Sequence, residues 1–193
     1  MKNKYYIGID IGGTKISGAL INPRGAILLR TKVPSSKNAK SQDLVNTIID
    51  LIEELLDTSS LKKTSLAGIG IGIPGLVDST KRKVIKTPNI SLSGIALASL
   101  IEKRFKTKVL LENDVNLGTL GEKTFGAAKR AHHVIGLFPG TGIGGGIIIN
   151  DRLISGANGA AGEIGHMIMD IHGPLCGCGH AGCLESLASR WAV

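Results

Sequence analysis

The stretch Gly162–Glu185 constrains the fold of this chain more than any other part of the sequence. It holds all three cysteines, Cys176, Cys178 and Cys183, with glycines between them, and His166 lies ten residues before the first cysteine. Three thiolates and one imidazole form the ligand set of a closed, tetrahedral zinc site. Because the C-x-C-x4-C spacing is compact, the sequence predicts a structural zinc ion held by these four side chains.

Other interpretations of this stretch stay open at this point. The cysteines could be free thiols, two of them could form a disulfide, and His172 or His180 could replace His166 as the fourth ligand. Glu163 and Glu185 bracket the cluster. A loop fixed by a metal would hold both carboxylates around a polar pocket, whereas without a metal they would be solvated surface acids.

Composition limits the class of protein and its partners. The 193 residues carry 23 lysines and arginines against 15 aspartates and glutamates, a formal net charge of +8, and the basic residues are scattered without interleaved aromatics. This pattern favours a solvated face that assists an anionic substrate, and we expect no nucleic-acid partner. We find no signal peptide and no apolar run long enough to cross a membrane, so we expect a cytoplasmic protein. His132 and His133 are expected to be ordinary core or surface residues.

The hydrophobic pattern predicts alternating strands and helices, an α/β chain. The strand–turn–strand opening is repeated after Val134, with a hairpin turn at Asn150-Asp151. We therefore predict a small N-terminal domain over 1–115 and the first part of a larger domain over 116–193. The predicted elements are strands at 5–9, 15–21 and 26–33, a helix at 41–56, strands at 66–73 and 84–85, a helix at 95–105, a strand at 109–111, a helix at 115–123, and strands at 134–138, 146–149 and 153–154.

The segment Asp10–Lys15 has the chemistry of a phosphate loop. Gly12 and Gly13 expose backbone N–H groups, Thr14 adds a hydroxyl, and Lys15 adds a positive charge. Asp10 could hold Mg²⁺ through water, since this ion keeps much of its hydration shell. The alternative is a Gly-Gly hairpin turn that binds nothing.

The segment Pro139–Gly146 repeats this chemistry with Gly140, Thr141 and Gly142. It contains a G-x-G-x-x-G match, but a strand rather than a helix follows, so we do not interpret it as a dinucleotide fingerprint. No Gly-Lys-Ser/Thr follows either, which excludes a Walker P-loop. We predict that the two glycine hairpins form a phosphate clamp.

Asn113-Asp114 is the candidate for acid–base chemistry, because it lies where a predicted strand ends. A hydroxyl that attacks a γ-phosphoryl group needs orientation and a proton acceptor, and an aspartate supplies both. The alternative is a helix N-cap, a position that favours Asp and Asn.

Together these motifs resemble the ROK family of sugar kinases and repressors, in the actin-like (ribonuclease H-like) ATPase superfamily. The resemblance implies an actin-like α/β fold of two βββαβα-type modules, with the second one incomplete. The matching segments, in family order, are Asp10-x-Gly-Gly-Thr14-Lys15, Glu112-Asn113-Asp114-x-Asn116, Gly140–Gly146, Gly162-Glu163-x-Gly165-His166, and Cys176-x-Cys178-Gly-x-x-Gly182-Cys183-x-Glu185.

The resemblance also implies residue roles. Asp114 is the expected general base, and His166 is expected to bind zinc with one ring nitrogen and sugar with the other. ATP, Mg²⁺ and structural Zn²⁺ are the implied cofactors, and a homo-oligomer, most simply a dimer, is the implied assembly. The expected sugar ligands are Gly75, Asn89, Asn113, Asp114, Glu163, His166 and Glu185, and the expected ATP-phosphate and Mg²⁺ ligands are Asp10, Gly12, Gly13, Thr14, Lys15, Gly140, Thr141 and Gly142.

The implied activity is ATP-dependent phosphorylation of a hexose, with glucose as the first candidate. Fructose, allose, N-acetylmannosamine and N-acetylglucosamine stay open as substrates, and polyphosphate stays open as donor. Family kinases continue well past the position of Val193, so a non-catalytic sugar-binding fragment is the alternative. A family repressor needs a helix-turn-helix before the first glycine loop, and we expect none because that loop begins at residue 10.

Overall fold

The computed structural model describes residues 4–35, 39–59, 65–88, 90–190 and 192. The chain divides into two compact units, Met1–Asp114 and Val115–Val193. Both combine strands and helices, so the predicted α/β class is confirmed. Within the described ranges, no helix is long and apolar enough to cross a membrane.

The first unit is built on a five-stranded sheet with the strand order β3-β2-β1-β4-β7. The first three strands form an antiparallel meander, whereas β1, β4 and β7 run parallel to one another. The elements are β1 (Tyr5–Ile11), β2 (Lys15–Ile21), β3 (Ile27–Pro34), α1 (Ser41–Thr58), β4 (Leu66–Ile73), β5 (Leu76–Asp78), β6 (Lys83–Lys86), α2 (Leu97–Phe105) and β7 (Val109–Asn113).

A continuous apolar core stabilises the first unit. Alternate residues of β1, Ile7, Ile9 and Ile11, lie buried on one face of the sheet. Helix α1 buries a stripe of leucines, isoleucines and a valine at helical spacing, as its sequence predicts. The buried cluster extends from Ile7 to Leu111 and therefore belongs entirely to this unit.

The second unit holds a smaller sheet with the order β10-β9-β8. Strand β8 (Val134–Pro139) pairs antiparallel with β9 (Ile143–Ile149), and β9 pairs with β10 (Arg152–Leu153). The predicted turn between β9 and β10 is confirmed, since Asn150 and Asp151 have φ values of 51° and 61°. The remaining elements are α3 (Asp114–Phe125), a 3₁₀ turn at Ile164–His166 and the short helix α4 (Leu184–Ala188).

The second strand of the small sheet begins earlier than the predicted 146–149. Strand β9 starts at Ile143, so Gly144 and Gly145, which were predicted to lie in a loop, are strand residues like Gly146. A Cβ atom on any of these glycines would clash with a neighbour: Val115 for Gly144, the backbone and Ile164 for Gly145, and Thr119 for Gly146. The absence of side chains at these positions allows α3 and the segment Gly162–Ile164 to pack closely on β9.

Candidate functional site

The carboxyl ends of three parallel strands bring the candidate residues of the first unit to one edge of the sheet. Asp10 pairs with Gly72 in the β1–β4 register, and Ile73 pairs with Asn113 in the β4–β7 register. Asp114 follows as the first residue of α3. This edge is where ligands bind in open α/β sheets, because the loops that leave it can surround a ligand.

Asn113 has a structural contact at this edge that the sequence does not reveal. Its side-chain amide donates a hydrogen bond of 3.0 Å to the carbonyl oxygen of Gly75, which follows β4. Its backbone N–H donates to Glu112 Oε1 at 2.9 Å. The Asn113 side chain therefore connects the ends of two strands, whatever else it binds. Asn89, also expected near this edge, lies outside the described residues.

The turn between β1 and β2 closes on itself. The N–H of Gly12 donates to the carbonyl oxygen of Lys15 at 2.9 Å, and the carbonyl oxygen of Thr14 accepts from the N–H of Ser35 at 2.9 Å. Gly13 lies between them. The Gly12 amide is thus already used within the turn, which leaves the following amides and the Thr14 hydroxyl as donors for an anion.

Asp10 lies beside this turn, and its environment disfavours the charged form. Partial desolvation raises the pKa of its carboxyl group, even though the side chain keeps contact with solvent, and the nearby charge of Lys15 opposes that rise. A carboxylate with a raised pKa gains from a bound cation, because the cation compensates the lost hydration. Asp10 therefore suits a divalent cation that accompanies a phosphate group.

The turn between β8 and β9, Gly140–Gly142, is held differently. The N–H of Gly140 donates to the carbonyl oxygen of Gly142 at 2.7 Å, and the Gly140 carbonyl accepts from the N–H of Arg190 at 2.9 Å. In addition, Glu185 Oε2 accepts from the N–H of Ile143 at 2.8 Å. A side chain from α4 thus completes the hydrogen bonding of this turn.

The four predicted metal ligands converge in the second unit. The ligand atoms of His166, Cys176, Cys178 and Cys183 all lie within 4.8 Å of one another. Cys176 Sγ lies 3.7 Å from His166 Nδ1, and Cys178 Sγ lies 3.6 Å from Cys183 Sγ. Ligand atoms around a tetrahedral zinc ion lie roughly 3.8 Å apart, given Zn–S bonds of about 2.3 Å. The donor set and its spacing therefore fit such an ion.

Of the alternative fourth ligands, neither His172 nor His180 belongs to this group of four. His180 instead contacts Cys178 from the side, with its Nδ1 3.5 Å from the sulfur. The three cysteines are free thiols, so none of the described cysteines forms a disulfide.

The thiols differ in their electrostatic surroundings. The backbone N–H and the imidazole of His180 lower the pKa of Cys178 to about 6, whereas burial raises the pKa of Cys183 to about 12. Metal binding requires thiolates. A divalent cation at the centre would supply the charge that stabilises the Cys183 thiolate, whereas Cys178 needs little assistance.

His166 points its two ring nitrogens in different directions. Nδ1 faces Cys176, while Nε2 lies 3.8 Å from Glu163 Oε2. Both side chains are partly exposed, His166 at 37% and Glu163 at 52%. One nitrogen is therefore placed for the metal, and the other shares an accessible polar surface with a carboxylate.

His132, predicted to be an ordinary core or surface residue, belongs to a polar cluster that the sequence does not reveal. Its Nδ1 lies 2.6 Å from Asp151 Oδ2, and Lys123 Nζ lies 2.9 Å from Asp151 Oδ1. These contacts join α3 to the turn between β9 and β10. His132 and Lys123 lie 19 and 28 positions before Asp151 along the chain, so no local sequence pattern could reveal the cluster.

Comparison with known proteins assigns the chain to a family. Residues 6–193 match the family described as the ROK family. A xylose repressor of Bacillus spizizenii is 41% identical over 194 residues, which cover 100% of this chain and 50% of that protein. A glucokinase of Thermotoga maritima is 37% identical over 188 residues, which cover 97% of this chain and 58% of that protein. The chain thus spans about half the length of the curated relatives it matches.

A solved structure resembles the fold closely. The crystal structure of a ROK family glucokinase from Streptomyces griseus, in complex with glucose and AMPPNP, matches with a TM-score of 0.84 and 37% identity. The match covers 97% of this chain and 58% of that chain. The predicted actin-like fold is therefore confirmed. Kinases and repressors both occur among relatives of similar identity, so likeness alone does not separate the two activities.

Proposed function

This chain belongs to the ROK family, and from that premise we propose that it contributes the sugar site and the phosphate-binding turns of a kinase that phosphorylates a hexose. The observation that carries the proposal is the shared edge of the first sheet. There Asp10 and the Gly12–Thr14 turn lie at the carboxyl end of β1, and Asn113 and Asp114 lie at the carboxyl end of β7, with β4 between the two strands. Such an edge offers turn amides and a lysine to a phosphoryl donor, and a carboxylate and an amide to a hydroxyl acceptor.

In the proposed reaction, Asp114 accepts the proton of the sugar hydroxyl as that oxygen attacks the γ-phosphorus of ATP, and the bond to the β–γ bridging oxygen breaks so that ADP leaves. Asn113 fixes the strand end that carries Asp114 and binds a sugar hydroxyl. The turn amides at Gly13 and Thr14, the Thr14 hydroxyl and Lys15 bind phosphate oxygens, as do Thr141 and Gly142 in the second turn. Asp10 would hold Mg²⁺ through water, and this ion would neutralise phosphate charge.

The second unit supplies the other sugar ligands in this proposal. Glu163, His166 and Glu185 bind hydroxyls, and Gly75 and Asn89 complete the set in the first unit. A zinc ion held by His166 and the three cysteines stabilises the loop that carries them and takes no part in the chemistry. Glucose is the first candidate substrate, since the glucokinase of S. griseus binds glucose with an ATP analogue. The cytoplasmic location and the homodimer stay predictions.

A second candidate function is sugar-dependent regulation. The 41% identity to a xylose repressor favours it, because that protein matches the whole of this chain. In this case the same hydroxyl ligands bind sugar, and phosphoryl transfer does not occur. The two candidates thus share a sugar site and differ in turnover.

The experiment that tests the proposal measures ADP release by the purified protein with Mg-ATP against a panel of hexoses and xylose, together with sugar binding by calorimetry. ADP release with one hexose supports the kinase and identifies its substrate. Sugar binding without ADP release supports the regulator. Neither binding nor release with any sugar contradicts both.

The variant Asp114→Asn tests the assignment of the base. Turnover should fall by about 10²- to 10⁴-fold, the usual contribution of a general base, while sugar binding stays close to that of the parent. Asp57→Asn, an equal change at an exposed position of α1, is the matched control and should leave both unchanged. Loss of sugar binding in a folded Asp114→Asn protein would assign the residue a structural role.

A further inference from the structure

Glu185 touches two different parts of the second unit. Its Oε2 accepts the hydrogen bond from the N–H of Ile143, and its Oε1 lies 3.9 Å from Cys176 Sγ. The first contact is to the residue that directly follows the turn Gly140–Gly142, and the second is to a residue of the Cys/His cluster. The side chain is only partly exposed. One carboxylate therefore bridges the cluster and the glycine turn.

The contact to Ile143 determines which donors the turn can offer. Ile143 is the first residue of β9, and its amide is bonded by the carboxylate instead of facing a ligand. The amide of Gly140 is used within the turn as well. This leaves the amides of Thr141 and Gly142 as the candidates for a phosphate oxygen. A Cβ on Gly142 would overlap the Glu185 carboxylate, so the turn and the acid are in close packing contact.

The position of Glu185 is set by the cysteine loop. Cys183 is the residue before α4, and Glu185 lies in the first turn of that helix. The hydroxyl of Ser186, next to it, donates to the Cys183 carbonyl at 2.8 Å and lies 3.2 Å from the carbonyl oxygen of Pro174. After the helix, the N–H of Arg190 donates to the carbonyl of Gly140. The helix thus runs from the cluster at one end to the glycine turn at the other.

We propose that Glu185 is a positioning residue through which the state of the metal cluster sets the conformation of the Gly140–Gly142 turn. A closed cluster fixes Cys183 and α4, α4 fixes the Glu185 carboxylate, and the carboxylate fixes the Ile143 amide and the donors beside it. The identity of the ligand as phosphate rests on the proposed function, whereas the link between cluster and turn does not. This role is additional to the sugar contact proposed for Glu185.

The amide of Ile143 reports the link directly, without catalysis. We would measure amide hydrogen exchange and the amide proton shift of Ile143 by NMR in the zinc-loaded protein. Glu185→Ala removes the acceptor, so exchange at Ile143 should accelerate by at least about tenfold, as expected for the loss of a hydrogen bond to a charged group. Glu185→Gln keeps a neutral acceptor and should show an intermediate rate.

The matched control is Glu163→Gln, which changes the other carboxylate near the cluster. Glu163 is exposed and lies beside His166 Nε2, so exchange at Ile143 should stay at the parent rate. Metal content, measured by mass spectrometry, should stay at the parent level in Glu185→Ala, because Glu185 is not one of the four converging ligands. Unchanged exchange in Glu185→Ala would overturn the proposal. Loss of metal from that variant would also overturn it, because the residue would then support the cluster instead of the turn.

Removal of zinc from the parent protein by a chelator completes the test. Exchange at Ile143 should accelerate, and re-addition of zinc should restore the parent rate. An unaffected Ile143 amide in the chelated protein would show that the turn does not depend on the cluster. A protein that releases no ADP with any sugar but shows the expected exchange would refute the kinase and leave the link intact. ADP release together with unchanged exchange at Ile143 would support the kinase and refute the link between the cluster and the turn.

Discussion

The two units each hold a glycine turn, but different interactions stabilise the chain around it. In the first unit the turn at Gly12–Thr14 is closed by backbone hydrogen bonds and rests on an apolar core that extends from Ile7 to Leu111. Among the described residues of the second unit, the buried apolar side chains are few: Ile143, Ile148, Cys176 and Cys183. Two of these four belong to the Cys/His cluster.

This difference shows how a segment without a large core can still hold a defined site. The second unit exposes Ile135 at 72%, Ile171 at 76% and Leu175 at 71%, so it buries little of its own apolar surface. The other interactions described within it are the Cys/His cluster, glycine packing and polar contacts. We therefore expect the stability of the second unit to depend strongly on bound metal and on loop geometry. The stability of the first unit should depend on the volume of its core side chains.

The largest effect is expected from removal of the metal. Cys178→Ser should lose zinc, because three ligands bind far more weakly than four, and the loop 162–188 should lose its protection from hydrogen exchange. Binding of structural zinc contributes on the order of 10 kcal/mol in small zinc domains, so the loss should be large. Strand β4 in the first unit should exchange as in the parent. Unchanged metal content would refute the proposed ligand set.

A smaller but sharp effect is expected at Gly182. This residue has a φ of 69°, and a Cβ there would overlap the carbonyl oxygen of Asp170, so Gly182→Ala should disturb the hairpin that closes the cluster. Gly177, also between the cysteines, has no neighbouring atom within 4 Å of an added Cβ. Gly177→Ala is therefore the control. We expect weaker zinc affinity in a competition titration for the first variant and parent affinity for the second.

In the first unit, a core cavity should matter more than any loop change. Ile71 is fully buried in β4, and Ile71→Ala should lower the free energy of unfolding by about 2–5 kcal/mol. Leu110, on the adjacent strand β7, is 52% exposed, so Leu110→Ala should cost far less. Chemical denaturation measures both. Zinc loss from Ile71→Ala under native conditions would contradict the expectation that metal ligation in the second unit does not respond to core volume in the first.

The smallest effect is expected at the Asp151 cluster. Hydrogen bonds from Lys123 and then His132 lower the pKa of Asp151 below its usual 3.8. A carboxyl group with a lowered folded-state pKa stabilises the fold above the unfolded pKa, and this stabilisation is lost as the pH falls through the folded-state value. Asp151→Asn should therefore melt slightly below the parent at pH 7, with a difference that shrinks below pH 4. A difference that is constant with pH would exclude the ion pair as its cause.

Much of the fold follows from periodicity in the sequence. The helix predicted at 41–56 is observed over Ser41–Thr58, because its apolar residues recur at helical spacing, and the strands at 15–21 and 66–73 have the predicted bounds. The strand β5 (Leu76–Asp78) was missed, since three residues are too few to show a period of two. The strand predicted at 146–149 begins three residues earlier, at Ile143, because Gly144 and Gly145 have no side chains to show a strand pattern and their packing partners lie on other elements.

The site was predictable in its residue types and less so in its contacts. The set His166, Cys176, Cys178 and Cys183 was predicted from spacing, and the structure brings these four side chains together. The bonds from Asn113 to Gly75 and from Ile143 to Glu185 span 38 and 42 residues. Such pairs leave no local signal, because only the folded chain brings them into contact.

The packing of helix α3 on the small sheet has a consequence for the evolution of this chain. Gly136 and Gly146 lie on neighbouring strands, and a side chain on either one would collide with the same atom, the hydroxyl oxygen of Thr119. A side chain at Gly136 or at Gly146 would require α3, which carries Thr119, to move, and the glycine on the other strand cannot relieve that collision. We expect the three positions to behave as one inherited unit, so that lineages either keep all of them or change them together.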